Sequence, residues 1–314
     1  MKTVAISGAG GFIGSLATKY FLKQDYRVRA MDNFYKGHID SLLEVITHPN
    51  FTFIPGDVTK FADCKKLMEG ADAVINLAAL VGFPQCAKNE ILARAVNVGG
   101  TQNMLLARNS SNPDIPFILP STGSVYGAVT EQICTEDTPT NTNTVYGLTK
   151  LEAEQYVKRC ENVVIFRYAT AFGVSPCMRI QLLVNDFVYR AMTERIIVVF
   201  EADFKRTFIH ISDFVLSLEF AINNYKQMTD IVYNVGDNSL NWSKRQLANY
   251  ISEKTGCLVH FAETGKDLDV RNYEVSVDRI NKLGFKCFTS MEKGIDELIK
   301  AIPLLRVGNR YEPN

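Results

Sequence analysis

The sequence predicts an α/β protein, a doubly wound parallel sheet joined to a smaller mixed α/β C-terminal lobe. Three observations lead there. Short apolar runs alternate with helical patterns through the first half of the 314 residues, a glycine-rich turn links the first run to the first helical pattern, and the alternation loosens past about Gly173. Neither a Gly/Ser-rich linker nor an internal repeat separates the parts, so residues 1–172 and 173–314 are expected as two interlocked units.

Val4–Ser7 is apolar and short enough for a buried strand, and Phe12, Leu16 and Tyr20 then recur at helical spacing through Phe12–Leu22. Val28–Met31, Phe51–Ile54 and Ala73–Leu77 read as the next three strands. Asp63–Met68 is a helical pattern between the third and fourth, and Ile91–Arg108 a longer one after the fourth. Phe117–Pro120 and Val163–Arg167 are further apolar strands around the helical stretch Gly147–Cys160. Beyond Gly173, helical runs (Leu182–Met192, Val215–Asn223, Lys244–Lys254) mix with short strands at Val198–Phe200, Ile231–Asn234 and Val259–Phe261.

Composition removes several classes of function. Lys+Arg and Asp+Glu are both 34, so no net field recruits nucleic acid or an anionic membrane, and an anionic ligand must be held by placed arginines or helix N-termini. The seven cysteines (64, 86, 134, 160, 177, 257 and 287) form no CxxC, and with 4 histidines they give no zinc-like spacing. Structural thiols in a reducing compartment, and no metal, are the expectation. No stretch approaches the roughly 20 apolar residues of a membrane span, and Met1-Lys2-Thr3 runs into a strand without a signal-peptide layout. A cytoplasmic protein is expected.

The turn Gly8-Ala9-Gly10-Gly11-Phe12-Ile13-Gly14 sits between the first strand and the first helix. Gly8 permits the tight turn, Gly11 lets backbone approach a pyrophosphate, and Gly14 lets helix and sheet pack closely. Phosphates would rest on the N–H groups of the helix N-terminus, around Phe12 and Ile13. Asp32, followed by Asn33, ends the second strand where a ribose-binding acid belongs; its carboxylate accepts from both ribose hydroxyls and repels a 2′-phosphate, which selects NAD over NADP. Asp57 and Val58 follow the third strand, placed to meet adenine. Leu77-Ala78-Ala79 ends the fourth with side chains small enough for close backbone approach, and Asn97 is a polar residue inside the next helical pattern.

Tyr146 and Lys150 lie four residues apart on one helical face. A free phenol titrates near about pH 10, too high for a base at neutral pH, but a neighbouring ammonium and a bound nicotinium favour the phenolate. The phenolate can then take a proton from a sugar hydroxyl while hydride leaves the same carbon. Thr122, at the end of the strand that begins at Phe117, can bond the same oxygen and orient it.

Together these residues resemble the extended short-chain dehydrogenase/reductase family, in its NAD-dependent epimerase/dehydratase branch acting on nucleotide sugars. Gly8, Gly11, Gly14, Asp32, Asp57-Val58, Leu77-Ala78-Ala79, Asn97, Thr122, Tyr146, Lys150 and Arg167 occur in the family's order, as do the Arg206–Asp213 segment and Asp269-Val270-Arg271-Asn272-Tyr273. The resemblance implies a Rossmann-type domain holding NAD, with Tyr146 and Lys150 also touching the cofactor. It also implies a C-terminal lobe holding a nucleotide diphosphate through Arg206 and Arg271, with Asn185 near the diphosphate, and a homodimer packed through Ile91–Arg108 and the Tyr146 helix.

Departures from the family narrow the chemistry. Its 4,6-dehydratases have Asp and Glu after the catalytic Thr, its decarboxylases a Glu and its 3,5-epimerases a Cys at the second of those positions; here they are Gly123 and Ser124. Thr170 stands where the family often has an Asn contacting the sugar, and Arg179 adds a cation expected to reach the sugar pocket. The reading that follows is an NAD-dependent 4-dehydrogenase of a nucleotide-diphosphate sugar serving surface-polysaccharide synthesis. A 4-epimerase is the alternative, a non-catalytic NAD-sensing protein a remote one, and a GDP-linked sugar the particular substrate expected. A carbonyl reductase on a non-nucleotide substrate fits less well, because Asp32 disfavours NADP and Arg206 and Arg271 point to a nucleotide.

Overall fold

The computed structural model describes residues 1–127, 129, 133–263 and 274–305. Its first strands are β1 (Thr3–Ser7), β2 (Arg27–Asp32), β3 (Phe51–Pro55), β4 (Ala73–Asn76) and β5 (Phe117–Thr122), followed by the short β6 (Ile133–Cys134) and by β7 (Val163–Tyr168). The intervening helices are α1 (Phe12–Lys23), α2 (Phe61–Met68), α3 (Phe83–Lys88), α4 (Glu90–Arg94), α5 (Thr101–Ser111) and α6 (Val145–Val157). β1, β4, β5 and β7 are buried along their whole length, as continuous Val/Ile/Phe runs require when helices cover both faces.

The second half of the chain contributes β8 (Thr170–Phe172), α7 (Leu183–Thr193), β9 (Ile196–Phe200), β10 (Lys205–His210), α8 (Ile211–Met228), β11 (Ile231–Val235) and β12 (Asp237–Ser243). Then come α9 (Lys244–Thr255), β13 (Leu258–Ala262), β14 (Glu274–Val275), α10 (Asp278–Asn281) and α11 (Met291–Ala301). The main sheet has seven parallel strands in the order β3-β2-β1-β4-β5-β7-β11, so its edge strand comes from beyond residue 173. Strand order reverses between β1 and β4, and in such sheets the crevice beyond the carboxyl ends at that point receives ligands.

Two apolar layers sandwich the sheet. Ala17 and Phe21 of α1 pack with Leu218 and Ala221 of α8 on one face, and Leu67, Met104, Leu105, Ala153 and Val157 of α2, α5 and α6 cover the other. A third cluster (Val188, Ile197, Leu247, Ile251, Ile295, Leu298) is the core of the C-terminal lobe, beside the small sheet β12-β10-β8 and the pair β13-β9. Among the described residues no helix is long and apolar enough to cross a membrane.

Two helices differ from the sequence expectation. The continuous helix Ile91–Arg108 is instead α4, a π-helical turn over Ala95–Gly100, and α5. The extra residue in that turn lets the Asn97 side chain leave the helix for Leu80, and Thr101 Oγ1 donates to the Asn97 carbonyl across it at 2.7 Å. At the end of the turn a Cβ on Gly100 would lie 2.6 Å from a Val58 methyl, so only glycine allows this approach to the strand-end residue. α8 begins at Ile211, four residues before the expected start, because His210 Nδ1 accepts the Ser212 N–H at 3.3 Å and caps it.

Candidate active site

The glycine turn is shaped by contacts that leave no room for side chains. Gly8 has φ +71°, and a Cβ there would be 2.7 Å from the Ala78 nitrogen, so the turn rests directly on the chain leaving β4. A Cβ on Gly14 would meet the Gly8 carbonyl oxygen. The first turn of α1 contains no acidic residue and no side-chain cap, which leaves its N–H groups facing the cleft as anion donors.

Asp32 ends β2 beside this turn. Its carboxylate accepts the Gly10 N–H at 2.8 Å and the Phe34 N–H at 2.7 Å, so the acid is fixed relative to the turn. Burial pushes its carboxyl upward, against the backbone donors at Phe34, Gly10 and Asn33 that favour the charged form. Asn33 Nδ2 donates to Asp57 at 2.9 Å and ties the ends of β2 and β3. Burial opposes ionisation of Asp57, but the Thr59 N–H and hydroxyl and Asn33 outweigh it and hold its carboxyl below the usual range. These features fit a dinucleotide: unpaired N–H groups for a diphosphate, a close backbone wall, and an oriented carboxylate for a ribose.

The expected catalytic residues lie on β5 and α6, which pack against each other. Thr122 ends β5, its hydroxyl donating to Ser124 Oγ and accepting the Ser124 N–H, both at 3.1 Å. Tyr146 stands in the first turn of α6, which Thr144 caps by accepting the Gly147 N–H, and its ring packs on Leu80 and Cys86. Lys150, one turn later, is 3% exposed, and its ammonium has no hydrogen-bond partner among the described residues. Burial depresses it to about 8, against the supporting charge of Glu154 and a smaller contribution from Cys86.

Asn97 is buried and its amide is fully used. It accepts the Leu80 N–H at 2.7 Å and donates to the Leu80 carbonyl and to Thr149 Oγ1, both at 3.0 Å. It therefore pins the chain after β4 to the helix that carries Tyr146 and Lys150. Asn185, also buried, accepts the Gly173 N–H at 3.1 Å and donates to the Gly173 and Arg179 carbonyls, so its amide closes the 173–179 loop. Thr170 lies in β8 opposite Phe208, and Arg206 is buried in β10 opposite Trp242. Arg271 and its neighbours 269–273 lie outside the described residues.

One network was not anticipated as such. Glu154, four residues after Lys150 and fully buried, binds Arg167 through both carboxylate oxygens at 2.9–3.3 Å and accepts from Ser121. Arg167 also reaches Tyr126 Oη at 3.3 Å, and that hydroxyl donates to Asn234 at 2.6 Å. The signal was present as a Glu in helical register with Lys150, but its partner lies on a different strand.

The glycine turn, the close backbone wall and the Asp32 carboxylate form a cleft at the switch point that fits a dinucleotide, with the Thr122 hydroxyl, the Tyr146 phenol and the buried Lys150 ammonium on the elements beside it. The chain belongs to the NAD dependent epimerase/dehydratase family, whose model matches residues 4–236; its cofactor is NAD. It is 28% identical to a low-salt glycan biosynthesis protein of Haloferax volcanii, covering 94% of this chain and 97% of that one. It is also 28% identical to a dTDP-glucose 4,6-dehydratase of Streptomyces griseus, covering 92% and 90%. The crystal structure of a UDP-glucose 4-epimerase with UDP-glucose from Thermotoga maritima shares the fold, with a TM-score of 0.84 and 20% identity over 97% and 99% of the chains.

Proposed function

We propose that the protein oxidises C4 of a nucleotide-diphosphate sugar and returns the hydride to the opposite face, as a nucleotide-sugar 4-epimerase. Gly123 and Ser124 beside Thr122 cannot act as the acid or base that water elimination needs, which leaves hydride and proton transfer alone. What favours the epimerase over the 4-dehydrogenase expected from sequence is that returning the hydride regenerates NAD each turnover without a second oxidant. The relatives named for glycan synthesis and for a dTDP-sugar support a nucleotide sugar as substrate and a role in making surface-polysaccharide sugars.

Bound NAD supplies the hydride acceptor. The chain's residues do the rest. Thr122 Oγ1 holds the C4 oxygen, the Tyr146 phenolate takes its proton, and the Lys150 cation lowers the cost of that phenolate. On return the same proton goes back from Tyr146 to the oxygen, so turnover leaves protons and electrons balanced with no external oxidant. Thr170 and Arg206 face the nucleotide-sugar side in this reading.

A 4-dehydrogenase that stops at the keto sugar is the second reading, favoured by the 173–179 loop, whose two ends Asn185 ties together. Incubation with GDP-, UDP-, dTDP- and CDP-sugars, reading C4 configuration by NMR together with reduced-nicotinamide absorbance, tests both. Paired C4 epimers without net reduced cofactor are expected; stoichiometric keto sugar with reduced cofactor would establish the dehydrogenase. A homodimer through α4, α5 and α6 is part of the proposal, supported by Ile91, 85% exposed on α4.

A further inference from the structure

The loop 173–179 belongs to the second half of the chain yet is anchored on the cofactor side of the cleft. Ser175 Oγ donates to the carbonyl of Phe12, the first residue of α1, at 2.6 Å and lies 3.3 Å from Ser15 Oγ. Cys177 Sγ packs against the carbonyl of Lys36, in the chain just beyond β2. The loop ends at Arg179, whose carbonyl accepts from Asn185 Nδ2 at 3.0 Å. From there its guanidinium reaches the opposite wall, with Nη2 3.7 Å from where a Cβ on Gly82 would sit. The loop thus runs from the first turn of α1 to the chain leaving β4, across the mouth of the dinucleotide cleft.

The side-chain charges along this path are cations. Arg179, Lys36 and Lys88 have no carboxylate partner among the described residues. Arg179 and Lys36 are both pushed down, first by desolvation, and for Lys36 also by Lys88 and Arg179. The nearby acid, Asp32, is committed to Gly10 and Phe34 N–H groups. Mutually repelling, partly desolvated cations with no acid among them are the arrangement of an anion site awaiting its anion. Tyr146, Cys177 and Cys86 are the other ionisable groups within electrostatic reach of Arg179.

We infer that Arg179, assisted by Lys36, bars the cleft by gripping the diphosphate of the bound dinucleotide from the side opposite the α1 N-terminus. This departs from the expectation that Arg179 reaches the sugar. The diphosphate is the anion that must lie against the first turn of α1, where Ser175 anchors the same loop, whereas the sugar lies beyond it at Thr122 and Tyr146. The arginine then acts on cofactor retention, and NAD stays through many turnovers.

The test measures retention directly. Wild-type holoprotein and the variants Arg179→Gln, Arg179→Lys and Lys36→Gln are purified, bound NAD is released by heat and counted per protomer, and NAD release into an enzymatic trap is timed. Loss of a charge-assisted contact to phosphate predicts about 10–100-fold faster release for Arg179→Gln. A smaller acceleration is expected for Lys36→Gln and an intermediate one for Arg179→Lys, with nucleotide affinity across UDP, GDP, dTDP and CDP changed less than about threefold. Unchanged NAD content and release with weakened binding of nucleotide sugar would overturn the inference in favour of a sugar contact. Unchanged behaviour in both assays would overturn it outright. Should Arg179→Gln fail to fold, Lys36→Gln, on a separate segment, decides by the same readout.

Discussion

Lys150 is a buried cation with no hydrogen-bond partner among the described residues, and replacing it separates catalysis from stability. The ammonium is 3% exposed, and its depression from 10.5 to about 8 corresponds to about 3 kcal/mol of penalty for carrying the charge into the fold. The folded state binds its proton less tightly than the unfolded chain, so stability from this residue rises with pH. The penalty is complete below about pH 8 and falls to less than half by about pH 9.5, vanishing above the unfolded value. Lys150→Met keeps the stem's packing and removes the charge. Without NAD it is expected to be about 1–3 kcal/mol more stable than wild type at pH 7 by urea unfolding, the advantage shrinking at pH 9.5, while turnover falls at least about 100-fold. A variant destabilised by more than about 1 kcal/mol at pH 7, or an advantage that grows with pH, would refute the claim that Lys150 is held for function against stability.

Other perturbations probe the groups behind it. Glu154→Gln leaves Arg167 buried without its bidentate partner and is expected to lose about 3–5 kcal/mol of stability. Since Glu154 supports the charge on Lys150, the same change should move the alkaline limb of the pH–rate profile to lower pH, and an unmoved limb would separate the two residues. Asn97→Ala removes two bonds to Leu80 and one to Thr149 of the helix that carries Tyr146 and Lys150; a loss of about 2 kcal/mol and a fall in kcat with little change in NAD content are expected. Ile91→Glu places a charge on the exposed apolar position of α4 and should shift sedimentation velocity from dimer toward monomer, whereas an unchanged boundary would argue against that face.

The main sheet was largely legible because its strands are short apolar runs, four of them buried along their whole length, set between helical patterns. Val4–Ser7, Phe51–Ile54 and Val163–Arg167 each extend by only one residue as β1, β3 and β7. The π turn at Ala95–Gly100 was not, since its partner is Leu80, 17 residues away, whose N–H donates to the Asn97 side chain and whose carbonyl accepts from it. Likewise Ile231–Asn234 read as a strand of the C-terminal lobe by position, but it pairs with β7 and closes the first sheet. At the site, spacing brought out Tyr146 with Lys150, which share a helix, and Thr122, which ends a strand beside it. Spacing could not show that Asn185 commits its amide to backbone, that Asn97 binds the Leu80 backbone and Thr149 Oγ1, or that Ser175 meets Phe12 across 163 residues.

The central claim is that hydride leaves C4 and returns to C4. Nucleotide sugars deuterated at C4 can be turned over by wild-type protein, with Tyr146→Phe as control, and the label located by NMR. Deuterium is expected to be retained at C4 in both epimers, with turnover lowered by about 10²–10⁴-fold in Tyr146→Phe while NAD remains bound. Deuterium appearing at C6, or an active Tyr146→Phe variant, would contradict the claim.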